Sequence, residues 1–162
     1  MVFVTQIPCG SYQANAYLLY AENRSDALII DPGDDINALT RAIDQSGRRL
    51  SDILLTHGHF DHMLSAAALR EKYGARVHVH PSDKHMLTDA GASLYDKNAC
   101  SQPFAPVTAD ELYPEDERFS LTAAGITFEG IHTPGHTLGG VTLICEDAQS
   151  VFTGDTIFAH GY

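Results

Sequence analysis

Positive charge is scarce in this sequence. Lys and Arg number 10 against 21 Asp and Glu, a formal net charge of -11. A field of that sign repels phosphate backbones and argues against nucleic acid as the main partner. An anionic small substrate stays open, because bound cations reverse the field locally. Cysteine is scarce too. Cys9, Cys100 and Cys145 are odd in number, far apart and form no CxxC, so no disulfide framework is expected and they read as reduced, partly buried thiols. Long apolar runs are missing, and no stretch is suited to span a bilayer. The opening "MVFVTQIPCG" lacks a basic region followed by an apolar stretch and a cleavage site, which argues against a signal peptide. A cytoplasmic protein without a membrane partner is the expectation. What remains is ordinary for a globular chain: 162 residues, 44% hydrophobic and 19% charged, suited to a single domain over 1–162 with one sizeable core.

The pattern predicts strands at "VFVTQI", "AYLLY" and "ALIIDPG", the last ended by Pro32-Gly33. Asp34 or Asp35 can cap a helix that carries Ile36, Leu39 and Ile43 on one face and stops at Gly47. "DILLT" is a short apolar run. The alanine-rich "HMLSAAALREKYG" predicts one helix from His62 to Gly74. "ARVHVH" reads as a strand and "SDKHML" as a short helix. Residues 89–117, with three prolines and weak periodicity, read as a long surface loop or lid. "RFSL", "ITFEGIH", "GVTLICE" and "SVFTG" read as further strands. The sum is a layered α/β or α+β fold.

Between "DILLT" and the alanine-rich helix stands "THGHFDH". Three histidines and an aspartate in six residues need a reason. Imidazole and carboxylate suit zinc, and equally iron or manganese. His57 and His59 are two apart and can face one way from an extended segment. Asp61 and His62 turn differently as the helix begins. One ion cannot take all four from so short a loop, so the economical reading is two neighbouring ions. His57 and His59 serve one, and Asp61 and His62 the other. Two distant partners suggest themselves at strand ends: His136 in "IHTPGHT" and Asp155 in "SVFTGDT". A carboxylate can bridge two cations, and Asp155 is placed for it. Alone, either residue would be an ordinary polar residue at a strand end. A structural zinc site would favour cysteines, and none lies near. His78, His80, His85 and His132 read as ordinary polar histidines, His132 at most an outer partner.

The motifs "THGHFDH", "HTPGHT" and "FTGDT", in that order, resemble the metallo-β-lactamase-fold hydrolases. The likeness runs over nearly the whole chain from "NAYLLY" and "ALIIDPG". It is greatest to the short glyoxalase II-like group, the hydroxyacylglutathione hydrolases. The resemblance implies a four-layer αββα sandwich with a dinuclear site at the edge of its two sheets. It implies His57, His59 and His136 on the first metal, Asp61 and His62 on the second, and Asp155 bridging. It further implies two divalent ions, zinc first, with iron or manganese as alternatives. Aspartate rather than cysteine at position 155 separates the chain from the true β-lactamases. Family members continue past "GDT" to another histidine on the second metal and to basic substrate-binding residues. This chain stops at Tyr162, so the C-terminal part of the usual domain is expected to be lacking. His160 reads as part of the loop after Asp155. A homo-oligomer or swapped segment would then cover the open edges.

The activity so implied is hydrolysis of a small thioester or ester by a metal-activated hydroxide, with Asp61 orienting the nucleophile and accepting its proton. A rival is an iron-dependent persulfide dioxygenase, which would use His57, Asp155 and either His59 or His136. A lactonase is a third reading, and a catalytically incomplete domain a fourth. The acidic charge disfavours an RNA-processing nuclease.

Overall fold

The computed structural model describes residues 1–161. Two sheets stack on each other. The first has six strands in the order β1 (Val2–Cys9), β2 (Ala14–Ala21), β3 (Asp26–Ile30), β4 (Arg49–Leu54), β5 (Arg76–Val79) and β6 (Glu111–Leu112). β1 to β3 pair antiparallel, and β3 to β6 run parallel. The second sheet is antiparallel, in the order β10 (Ser150–Phe152), β9 (Val141–Cys145), β8 (Ile126–His132) and β7 (Arg118–Ala123).

The alternation along each strand decides what lies between the layers. Leu19, Leu28, Ile30 and Leu54 of the first sheet face Ile126, Phe128, Leu143 and Phe152 of the second. The opposite face of the first sheet, including Leu18, Ile29, Ile53 and Val77, packs under the helices through Leu39, Ile43 and Leu69. Each such side chain, fully buried, contributes roughly 1.5–3 kcal/mol. Helix, sheet and sheet are three layers of the expected sandwich. A helical layer outside the second sheet is not found among the described residues.

Helix α1 (Ile36–Ser46) is capped as expected, Asp35 accepting from the Ala38 amide and Gly47 closing it at φ 67°. The helix expected from His62 to Gly74 is corrected in two respects. It begins earlier, as a single turn α2 (Phe60–Met63), and it breaks before α3 (Ala66–Tyr73). The cause is Ser65. Its amide donates to Pro32 O at 3.1 Å and its hydroxyl to Gly33 O at 2.5 Å. The turn after β3 thus takes the groups that would continue the helix. "SDKHML" forms a 3-10 turn, Pro81–Leu87.

The stretch 89–117 is a loop as expected over most of its length, with no helix or strand before residue 111, and it is clamped at several points. Ser93 O accepts from the Phe60 amide at 2.9 Å. Ser101 donates through both its amide and its hydroxyl to the buried Asp34. Val107 and Tyr113 are buried, and residues 111–112 extend the first sheet as β6. No helix among the described residues is long and apolar enough to cross a membrane.

Candidate metal centre

The parallel pairing of β3 with β4 brings two strand ends to one edge. Asp31 follows β3, and His57 lies just beyond β4. The β8–β9 connection brings His136 to the same edge. Val141 N donates to Thr56 O at 2.9 Å, tying the second sheet to the first there. The turn after β10 delivers Asp155. Gly154, at φ 51°, makes that turn possible: an added Cβ would stand 2.3 Å from Thr56 Oγ1.

All six residues singled out in the sequence converge. Ring nitrogens of His57, His59 and His136 lie within 4.8 Å of one another. A second group, Asp61, His62 and Asp155, meets the same limit. Asp155 belongs to both neighbourhoods. Its Oδ1 is 3.0 Å from His62 Nε2, and its Oδ2 is 3.1 Å from His136 Nε2 and 3.9 Å from His57 Nε2. One carboxylate therefore turns one oxygen to each group, the posture of a bridging ligand. His78 instead pairs with Asp52, and His80 stacks on His132 with ring centroids 4.2 Å apart. His85 and His160 are exposed and stand outside both groups.

Two residues missed in the sequence organise this cluster. Asp31, almost fully buried, accepts from Thr56 N at 2.7 Å, Thr56 Oγ1 at 2.6 Å and His62 Nδ1 at 2.9 Å. Because Thr56 spends its proton on Asp31, its oxygen accepts from His57 Nδ1, 3.0 Å away. One carboxylate thereby fixes two imidazoles, each with its Nε2 turned inward. Asp83 is the other. Both were visible as aspartates in "ALIIDPG" and "HPSDKHML", but nothing in their spacing announced a role.

The electrostatics fit a cation. His57 Nε2 is buried and has no hydrogen-bond partner among the described residues. Burial pushes this histidine down to about 2, with the charge of His62 adding to the effect, so its ring is neutral. Burial alone would also lower His62, but Asp31, Asp155 and Asp61 outweigh it and hold it up at about 10. Burial would raise Asp155, yet its hydrogen bond to His62 and the surrounding histidines bring it down to about 2. Burial raises Asp61, and neighbouring Asp155 raises it further. The pocket thus stabilises positive charge against three carboxylates while offering a bare lone pair. Nitrogen and oxygen donors without thiolate suit zinc, iron or manganese alike.

A cavity of about 460 Å³ opens beside Asp61, His62 and Asp155, bordered by Tyr12 of the β1–β2 turn, by Asn15 of β2 and by Phe158. The arrangement can hold cations, polarise a carbonyl and place a carboxylate beside an attacking water.

Residues 9–161 match the family model described as the metallo-beta-lactamase superfamily. The chain is 32% identical over 160 residues to a hydroxyacylglutathione hydrolase of Haemophilus influenzae, covering 96% of this chain and 72% of the relative. The crystal structure of the BLEG-1 B3 metallo-beta-lactamase is similar at a TM-score of 0.80 and 34% identity, covering 96% of this chain and 73% of that one. A solved structure of a relative in a di-iron-bound form is similar at a TM-score of 0.77 and 32% identity, with the same coverage.

Proposed function

The chain belongs to the metallo-beta-lactamase superfamily, and from that premise we propose that it is a metal-dependent hydrolase of small thioesters or esters. The observation that carries this reading is the split posture of Asp155 between two histidine groups, with Asp61 alongside. His57, His59 and His136 would hold one ion, Asp61 and His62 a second, and Asp155 both. Zinc is the first candidate, and the likeness to a di-iron-bound relative keeps iron in view. Divalent cations held there supply Lewis acidity and a water that ionises at about pH 7.

The protein's own groups do the rest. Asp61, partly exposed at the cavity, orients the attacking water and takes its proton. The water oxygen adds to the acyl carbon, and the bond to the thiolate or alkoxide breaks as the carbonyl re-forms, the proton on Asp61 passing to the leaving group. His57, a neutral ring oriented by Thr56, and His62, oriented by Asp31, would keep the ions in register with the substrate, His62 giving up its Nε2 proton on binding one. The resemblance to a hydroxyacylglutathione hydrolase supports a hydroxyacyl thioester of glutathione as the first substrate to try. The reading carries with it a cytoplasmic small-molecule substrate and no nucleic acid, given a net charge of -11.

The test is a panel of a hydroxyacyl glutathione thioester, a simple ester, a lactone, a β-lactam and glutathione persulfide. It is run with the metal-loaded protein, after chelation, and after restoring zinc or iron. Thioester cleavage that disappears on chelation and returns with metal is the expected result. Oxygen consumption with the persulfide and no thioester cleavage would replace this reading with the iron dioxygenase one.

A further inference from the structure

Asp83 lies outside the six metal-facing residues, on the 3-10 turn Pro81–Leu87, and is 1% exposed. Among the described residues its carboxylate has no basic partner; it accepts hydrogen bonds from two different loops. Oδ2 accepts from Gly58 N at 3.0 Å and from Thr137 Oγ1 at 2.7 Å. Oδ1 accepts from Gly139 N at 2.8 Å. Gly58 stands between His57 and His59, and Thr137 follows His136. The carboxylate is therefore the tie beneath all three histidines of the first group. The loops come so close that an added Cβ at Gly139 would stand 2.7 Å from both Cγ and Oδ1 of Asp83.

We propose that Asp83 is a positioning residue that holds the His57–His59 loop and the His136 loop in the spacing needed to bind the first metal ion. This rests on the proposed reading of His57, His59 and His136 as metal ligands. The chemistry follows from counting acceptors. Three donors meet two carboxylate oxygens, and only a carboxylate accepts on both sides. In Asp83→Asn the amide keeps one acceptor oxygen. That oxygen can satisfy Gly58 and Thr137 together, which leaves the NH2 group facing the Gly139 amide. Donor then meets donor in a buried place, which drives the β8–β9 connection and His136 away. Outer groups that orient metal ligands typically alter affinity by about 10- to 100-fold when removed.

The experiment titrates zinc against a chromophoric chelator for the wild type, Asp83→Asn and Thr137→Val, and records the visible spectrum of the cobalt(II)-loaded forms. Asp83→Asn should weaken one of two ions by about 10- to 100-fold and alter the cobalt spectrum. Thr137→Val, which removes one of the three bonds, should shift both readouts in the same direction by less. Should Asp83→Asn fail to fold, Thr137→Val alone decides. Two ions bound with wild-type affinity and an unchanged cobalt spectrum, in the folded variant that decides, would overturn the proposal even if the melting temperature fell. A wild type that binds no ion would instead remove the metal reading on which it rests.

Discussion

Asp31 Oδ2 lies 2.9 Å from Nδ1 of His62, and the opposite nitrogen of the same ring lies 3.0 Å from Asp155. The inner contact decides what the outer nitrogen can do. With Nδ1 donating to Asp31, Nε2 is the nitrogen turned toward a cation, which would displace the proton it shares with Asp155. Asp31 holds φ 51°, a conformation aspartate tolerates better than most residues. Asp31→Asn presents an amide to the same neighbours and favours the opposite tautomer of His62. The expected result is a loss of affinity of about 10- to 100-fold, greater at the His62 ion than at the other. Metal content after dialysis against graded chelator measures it. Two ions retained as in the wild type would show that the tautomer is set by something else.

Asp61 carries a different kind of prediction, because the proposal gives it work beyond ligation. Burial raises its carboxyl and the neighbouring Asp155 raises it further, which suits a group that must accept a proton. Asp61→Asn keeps size and one ligand oxygen but cannot take the proton. Turnover of the thioester should fall by about 100-fold or more, with KM little changed. Metal stoichiometry is measured on the same sample, so that a lost ion is not mistaken for a lost base. Turnover within about twofold of wild type, with both ions present, would withdraw the role.

The histidine cluster was legible because its residues are adjacent in the chain and their chemistry is unambiguous. His136 and Asp155 were legible because each follows an apolar strand and a glycine. The strands, α1 and its two caps were legible from alternation, from Leu39 and Ile43, and from Asp35 and Gly47. Asp31 and Asp83 were not, since their partners are set by tertiary packing. Asp31 meets Thr56 across 25 residues, and Asp83 meets Thr137 across 54. The break at Ser65 was hidden for the same reason: an alanine-rich run says helix, while the Pro32 carbonyl that interrupts it lies on another element. The clamps on the loop 89–117 were hidden because their anchors, Asp34 and the Phe60 amide, are far off in sequence.

Asp52 marks the opposite end of the first sheet and governs acid stability. Buried at 1% exposure, it accepts from Ser51, His78, Arg76 and the Ala124 amide. Burial alone would raise its carboxyl, but the hydrogen bonds from His78 and Ser51, with the charges of His78 and Arg76, bring it down to about 2. Its ordinary value is 3.8. Between those values the unfolded chain binds the proton more readily than the folded one, so stability rises with pH. The contribution, on the order of 2 kcal/mol, is full above about pH 4 and fades as pH falls toward about 2. Asp52→Asn should therefore be less stable than wild type at pH 6, and the gap should narrow at pH 3. Urea unfolding at both pH values tests this, and a gap that widens on acidification would contradict it.

Gly33 gives the most local prediction, because its neighbour is backbone and cannot swing aside. A Cβ there would stand 2.1 Å from the carbonyl oxygen of Asp61 and 3.3 Å from Cys9 Cβ. The same turn supplies the two carbonyls that hold Ser65, so the end of β3 and the start of α2 are locked together. Gly33→Ala must push the two segments apart, and overpacking of this kind costs about 1–3 kcal/mol or more. The displacement moves α2, which carries both Asp61 and His62. The expected outcome is a melting temperature lower by roughly 5 °C or more, together with weaker binding of the ion on the His62 side and less change at His57, His59 and His136. A variant that melts like wild type and keeps both ions would mean that the turn has room to relax. The close approach of Gly33 to Asp61 would then not be what positions the second half of the centre.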